Sequence, residues 1–204
     1  MSQKKILYQS LIAILSLIFL NACTSTLVVD GDFPSPLISK LPYSVGVHYP
    51  ENFKNYTYKE ASKDRQKWII IAGDAQTELF QTVLPGMFES VSQFESLPPY
   101  EIPPDVDMII SPTLTAFEYT LPTETSIKVY DIWLKYNIQV FSNQGSLIAD
   151  YNMTAYGKTP VGGILSTNEA ALNLAIVAAL RDAGANLILD FAKVPEIRAW
   201  LEQH

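Results

Sequence analysis

Tyr130-Asp131-Ile132-Trp133-Leu134-Lys135-Tyr136-Asn137-Ile138-Gln139-Val140 decides the fold. Tyr130, Ile132, Leu134, Tyr136, Ile138 and Val140 share one parity; Asp131, Trp133, Lys135, Asn137 and Gln139 share the other. Alternation of period two over this length predicts a long strand with one buried and one wet face. Asn143-Gln144-Gly145 follows as a hairpin turn signal. The return strand repeats the pattern, with Leu147, Ala149, Tyr151, Met153 and Ala155 inward and Asp150, Asn152 and Thr154 outward. The pair is therefore antiparallel and half-buried.

Upstream, Val106 to Leu121 predicts another long strand. Its parity changes near Ala116, from Met108, Ile110 and Leu114 to Phe117, Tyr119 and Leu121; a bulge has that effect. Ser44 to Tyr49 and Trp68 to Ala72 predict shorter strands, with a polar loop between them. Gly73-Asp74 starts a helix, with Asp74 as N-cap and Leu79, Phe80, Val83, Leu84, Met87, Phe88 and Val91 at helical spacing. Pro85-Gly86 inside that pattern predicts a kink or break. Leu97 to Pro104, with four prolines, is a loop.

Downstream, Lys158 to Leu165 reads as a loop. Ser166-Thr167-Asn168-Glu169 matches a capping box ahead of a helix from Ala170 to Ala183. That helix is apolar on nearly every side, which implies burial by several neighbours or half of a subunit interface. Pro195 opens a last short helix with Ile197, Trp200 and Leu201 on one stripe. The order predicts an α+β two-layer sandwich: a mainly antiparallel sheet with a long hairpin, and helices on one face.

The 204 residues carry a net charge of −7, with 48% hydrophobic and 17% charged residues. These values fit a globular chain. No basic run occurs, which argues against nucleic-acid binding and against electrostatic docking on anionic lipid. Any membrane attachment must therefore have another source. Lys4 and Lys5 precede an apolar stretch from Ile6 to Leu20, too short for a standard span of roughly 20 residues. This is the layout of a signal peptide.

Leu20-Asn21-Ala22-Cys23 resembles the lipobox of bacterial lipoproteins. The resemblance implies cleavage before Cys23, with residues 1–22 removed, and a covalent lipid on the Cys23 thiol. Several acyl chains hold a protein durably where one holds weakly. Thr24, where that family's inner-membrane retention signal has Asp, implies an outer-membrane location on the periplasmic face. Residues 23–43, with Pro34, Pro36 and Pro42, read as the lipidated cysteine and a semi-extended tether, within which Leu27-Val28-Val29 has the means to pack on the domain. Residues 44–204 read as a single periplasmic domain. Cys23 is the only cysteine, so no intramolecular disulfide forms.

Recognised catalytic motifs are missing. His48 lies on a polar strand parity and His204 is the last residue, neither with a partner in motif range. There is no metal-ligand spacing, G-x-S-x-G, GxGxxG or P-loop. Asp105 and Asp107 read as a solvated strand entry, and Gly162-Gly163 as a hinge. The expectation is a non-enzyme without metal or cofactor, apart from the lipid on Cys23. Trp133, the one large aromatic on a polar face, is a candidate partner contact; cover by its own chain is the alternative. Val161, Ile164 and Leu165 put apolar side chains into a turn-rich loop. They are further contact candidates, against packing under their own domain.

The lipobox, the tether, Val45-Gly46-Val47, the helix from Gly73-Asp74, the long hairpin and the helix ending Ala179-Leu180-Arg181-Asp182 together resemble small auxiliary envelope lipoproteins. These include lipoproteins of ABC-type transport systems and those with a TolB N-terminal-like domain. The resemblance implies an accessory protein in transport, secretion or envelope maintenance that binds an envelope partner or self-assembles. A lipid or glycan carrier with an internal pocket is the alternative, and a hydrolase a more distant one.

Overall fold

The structure is a computed structural model and describes residues 24–62, 64–98, 105–162 and 167–204. The chain runs β1 (Thr24–Val28), β2 (Leu41–His48), α1 (Glu51–Lys54), β3 (Thr57–Lys59), β4 (Lys67–Ile71), α2 (Gly73–Met87), β5 (Phe88–Phe94), β6 (Met108–Thr120), β7 (Val129–Ser142) and β8 (Leu147–Pro160). It ends with α3 (Asn168–Asp190), a 3₁₀ turn (Phe191–Lys193) and α4 (Pro195–Leu201). The class is α+β, as the alternation predicts.

A five-stranded sheet has the order β5-β2-β6-β7-β8. Its long ladders, β6 with β7 and β7 with β8, are antiparallel. The β5–β2 and β2–β6 pairs are parallel, so the sheet is mixed. A three-stranded sheet, β1-β4-β3, joins it through Tyr58, whose ring lies 5.1 Å from that of Phe117 on β6.

The inward face of β7 is core: Ile132, Leu134, Tyr136, Ile138 and Val140 are all buried. α2 and α3 close this face, with Leu79, Phe80, Leu172, Ala175, Ile176 and Ala179 buried against it. α3 crosses β8 at Gly157, where a Cβ would collide with the Ala175 carbonyl and the Ala179 amide. Glycine is what allows helix and strand to approach this closely. The helix is long and apolar enough to cross a membrane, yet half of it is buried within the domain.

Several expectations are corrected. Residues 24–43 do not form a spacer: β1 pairs along β4 from Thr24 onward, Leu27 and Val29 pack on the domain as their apolar character allows while Val28 faces out, and Phe33 is buried as well. The segment is then clamped to α3, where Asn173 donates to the Asp30 carbonyl and Arg181 to the Asp32 carbonyl. Phe88 to Phe94 is a strand rather than helix, because it gains a parallel ladder with β2. Asp74 lies in the first turn of α2 and not at its cap, which is Ala72. α3 continues past Ala183 to Asp190, with Gly184 buried near Leu79. Its cap is Thr167, whose hydroxyl accepts from the Ala170 amide; Ser166 lies outside the described residues. The β8 strand extends to Pro160, into the expected loop. Leu147 is exposed, because the register shifts between Val140 and Phe141 and turns it outward.

Candidate binding surface

The helices cover one face of the β6-β7-β8 sheet; the other is open around Trp133 and is covered near the start of β6, where the outward Ile109 and Ser111 are buried. Trp133 stands on this outer face with 51% of its surface exposed. The ladder sets it beside Glu118 on β6 and opposite Tyr156 on β8. The two rings lie 4.6 Å apart, centroid to centroid. Cross-strand aromatic pairs of this kind stabilise a hairpin and present a rigid apolar surface. The Tyr156 hydroxyl donates to the Asp131 carboxylate, and this bond pushes its pKa up to about 12. A groove of about 190 Å³ runs beside Trp133, lined by Ala116, Glu118, Leu134, Lys135 and Thr154.

Polar side chains continue the face towards the turn. Asn137 and Gln139 both donate to the Asp150 carboxylate and hold it below the usual carboxylate range. The backbone of the β8 edge is engaged near Tyr156: its amide donates to Asp182, and Asn186 donates to the Thr154 carbonyl. An incoming strand would have to displace these side chains. What this part of the molecule offers a partner is therefore side-chain surface, with the aromatic pair at its centre.

Val161 lies elsewhere. It is half-buried against the core, and its amide donates to the Lys128 carbonyl over 3.1 Å. It lines a cavity of about 500 Å³ with Arg65, Glu124, Lys128 and Tyr130. Trp133 lines no part of that cavity, so the structure does not bring the two candidates into one site. Ile164, Leu165 and Cys23 lie outside the described residues.

The cavity wall is held by Arg65. Its guanidinium sits 2.9 Å from Glu60 and 2.9 Å from Glu124, and 4.4 Å over the Tyr119 ring. A further depression of about 450 Å³ lies along β8 and the end of α3, lined by Tyr151, Thr154, Asn186, Asp190 and Lys193. His48 approaches the Ser111 hydroxyl at 3.2 Å. The Asp107 carboxylate accepts from the Ser44 amide, and the Asp107 amide donates back to the Ser44 carbonyl, so this aspartate clamps two strands. Among the described residues no three His, Cys, Asp or Glu side chains gather as a metal site.

No family model and no curated protein matches the sequence. Solved structures do match the fold. A minor lipoprotein from Acinetobacter baumannii aligns with 76% of this chain and 94% of its own, at 9% identity and a TM-score of 0.47. A DUF330-family protein from Xanthomonas campestris aligns with 89% of this chain and 100% of its own, at 13% identity and a TM-score of 0.54. Identity this low speaks to architecture alone, and on that ground the chain has the α+β fold of the Xanthomonas protein across nearly its whole length.

Proposed function

We propose that this chain is a lipid-anchored accessory protein of the bacterial envelope that acts by binding a partner through the Trp133–Tyr156 face. The observation that carries this reading is the exposure of Trp133 beside Tyr156 on the outer face of the sheet. Exposed apolar surface costs about 25 cal/mol per Å², and an aromatic pair ringed by polar groups is the usual make-up of an interface anchor. The anchor is the lipid on Cys23 implied by Leu20-Asn21-Ala22-Cys23. Thr24 supports retention in the outer membrane, with the domain in the periplasm. The protein works by association, not turnover. Its partner is an envelope protein or a second copy of the chain.

The test is a pull-down from detergent-solubilised membranes with the intact lipoprotein and its Trp133→Ala and Tyr156→Ala variants, paired with sedimentation and melting curves. Both variants should fold and lose the partner or the self-association. Retained binding by a folded Trp133→Ala protein removes this face from the site. Membrane separation on a density gradient tests the location: co-migration with inner-membrane markers overturns the outer-membrane assignment.

A further inference from the structure

Thr24 follows Cys23 directly in the sequence, and it is already paired with Lys67 at the first position of the β1–β4 ladder. Adjacent Cα atoms are about 3.8 Å apart, so a lipid on Cys23 has no length of free chain with which to hold the domain away from its bilayer. Resting on the lipid anchor proposed above, we infer that the end of the domain carrying Thr24 sits directly on the phospholipid headgroups of the leaflet that holds the lipid.

The chemistry of that end fits such a surface. β4 begins there with Lys67, and β3 ends there with Lys59, which pairs with Ile69. The 121–128 connection belongs to the same end: Arg65, two residues before Lys67, binds Glu124 at 2.9 Å. The end of β8 joins it, since the Val161 amide donates to the Lys128 carbonyl. Lys59, Lys67, Lys128 and Lys158 therefore fall at one end of the fold although they are scattered in sequence. All four are exposed, and among the described residues none is ion-paired. The end is mixed in charge, since Asp64 and Glu124 line the cavity beside Lys128 and Asp131 stands opposite Lys158 in the ladder, so the lysines serve as separate headgroup contacts and not as one basic patch. Ammonium groups pair with the phosphate that every phospholipid headgroup carries. Ile127, 63% exposed in the connecting loop, adds an apolar side chain suited to the interfacial layer. The hairpin turn with Gln144 lies at the opposite end of β7 and β8 and points away from the bilayer.

Depth-dependent quenching tests this on the full lipoprotein. Ile127→Cys and Gln144→Cys, both at exposed positions, are labelled with a thiol-reactive fluorophore; a lipidated Cys23 has no free thiol. The proteins are reconstituted into phosphatidylethanolamine–phosphatidylglycerol vesicles containing a lipid with a nitroxide on its headgroup. The seating requires loss of fluorescence at position 127 and none at 144. Equal quenching at the two positions, or none at 127, overturns the seating while mass spectrometry of a diacylated Cys23 keeps the anchor. An unlipidated Cys23 in the exported protein overturns both.

Discussion

Gly157 of β8 and Ala175 of α3 are in backbone contact, and a Cβ on the glycine would overlap the alanine's carbonyl oxygen. Neither partner has a flexible side chain that can move aside. Gly157→Ala should therefore lower stability by at least the 1–3 kcal/mol (about) typical of overpacked cores. Urea unfolding followed by circular dichroism measures it. An unchanged midpoint would mean that α3 sits further from the sheet than described.

Tyr136 illustrates a different kind of core constraint. Its hydroxyl donates to the Gln76 side-chain oxygen at 3.2 Å, and the Gln76 amide in turn donates to the Phe53 carbonyl. Both side chains are fully buried, and burial holds the tyrosine proton far above its ordinary pKa. Tyr136→Phe keeps the ring but strands a buried acceptor, at a cost of roughly 1–3 kcal/mol. Adding Gln76→Met should recover part of that loss, because the orphaned acceptor is then gone. A double-mutant cycle decides this, and strictly additive losses would show that the two groups are not coupled.

Acid should loosen the loop that Arg65 holds. Burial alone pushes the Glu60 carboxyl up, but the Ser62 amide, the Tyr119 and Tyr58 hydroxyls and Arg65 together bring it below its ordinary value. A carboxyl depressed in the folded state contributes stability above its unfolded pKa, about 4.3, and loses it as pH falls through the folded value. Glu60→Gln should thus lower Tm at neutral pH and flatten its decline below about pH 4. Equal acid slopes for the two proteins would show that Glu60 has no part in the acid response.

Much of the fold is legible because one sheet face is dry. Strict alternation from Tyr130 to Val140 places every inward residue of β7 correctly, and the parity change at Ala116 locates the β6 bulge, which the ladder shows between Leu114 and Ala116. The β8 bulge escapes notice because Leu147 and Ile148 are both apolar and either parity looks plausible. β5 reads as helix because Phe88 and Val91 continue the spacing of α2, and only its parallel pairing with β2 makes it a strand. Trp133 stands out from its neighbours in sequence, whereas Tyr156 depends on register. Matching the inward Tyr136 to the inward Met153 is what puts Tyr156 opposite Trp133. The shared end of the four lysines is hidden for the same reason: they stand on four separate segments that come to one end only after folding.

The segment after Cys23 offers the sharpest separation between a tether and a strand. A tether tolerates almost any polar or small substitution, since nothing packs on it. Leu27 is 3% exposed, pairs with Ile70 and belongs to the continuous core. Leu27→Ala should therefore cost roughly 2–5 kcal/mol, through lost burial and the space left behind. Val28, 59% exposed one position later, is the internal control, and Val28→Ala should leave the midpoint within about 0.5 kcal/mol. Both are measured by denaturant unfolding of the domain from Thr24 onward, exported behind a cleaved signal peptide so that no lipid is required. A large loss at Leu27 beside a small one at Val28 establishes β1 as part of the folded unit. Equal and negligible effects would return residues 24–33 to the role of a spacer and remove the ground for seating the domain on a bilayer.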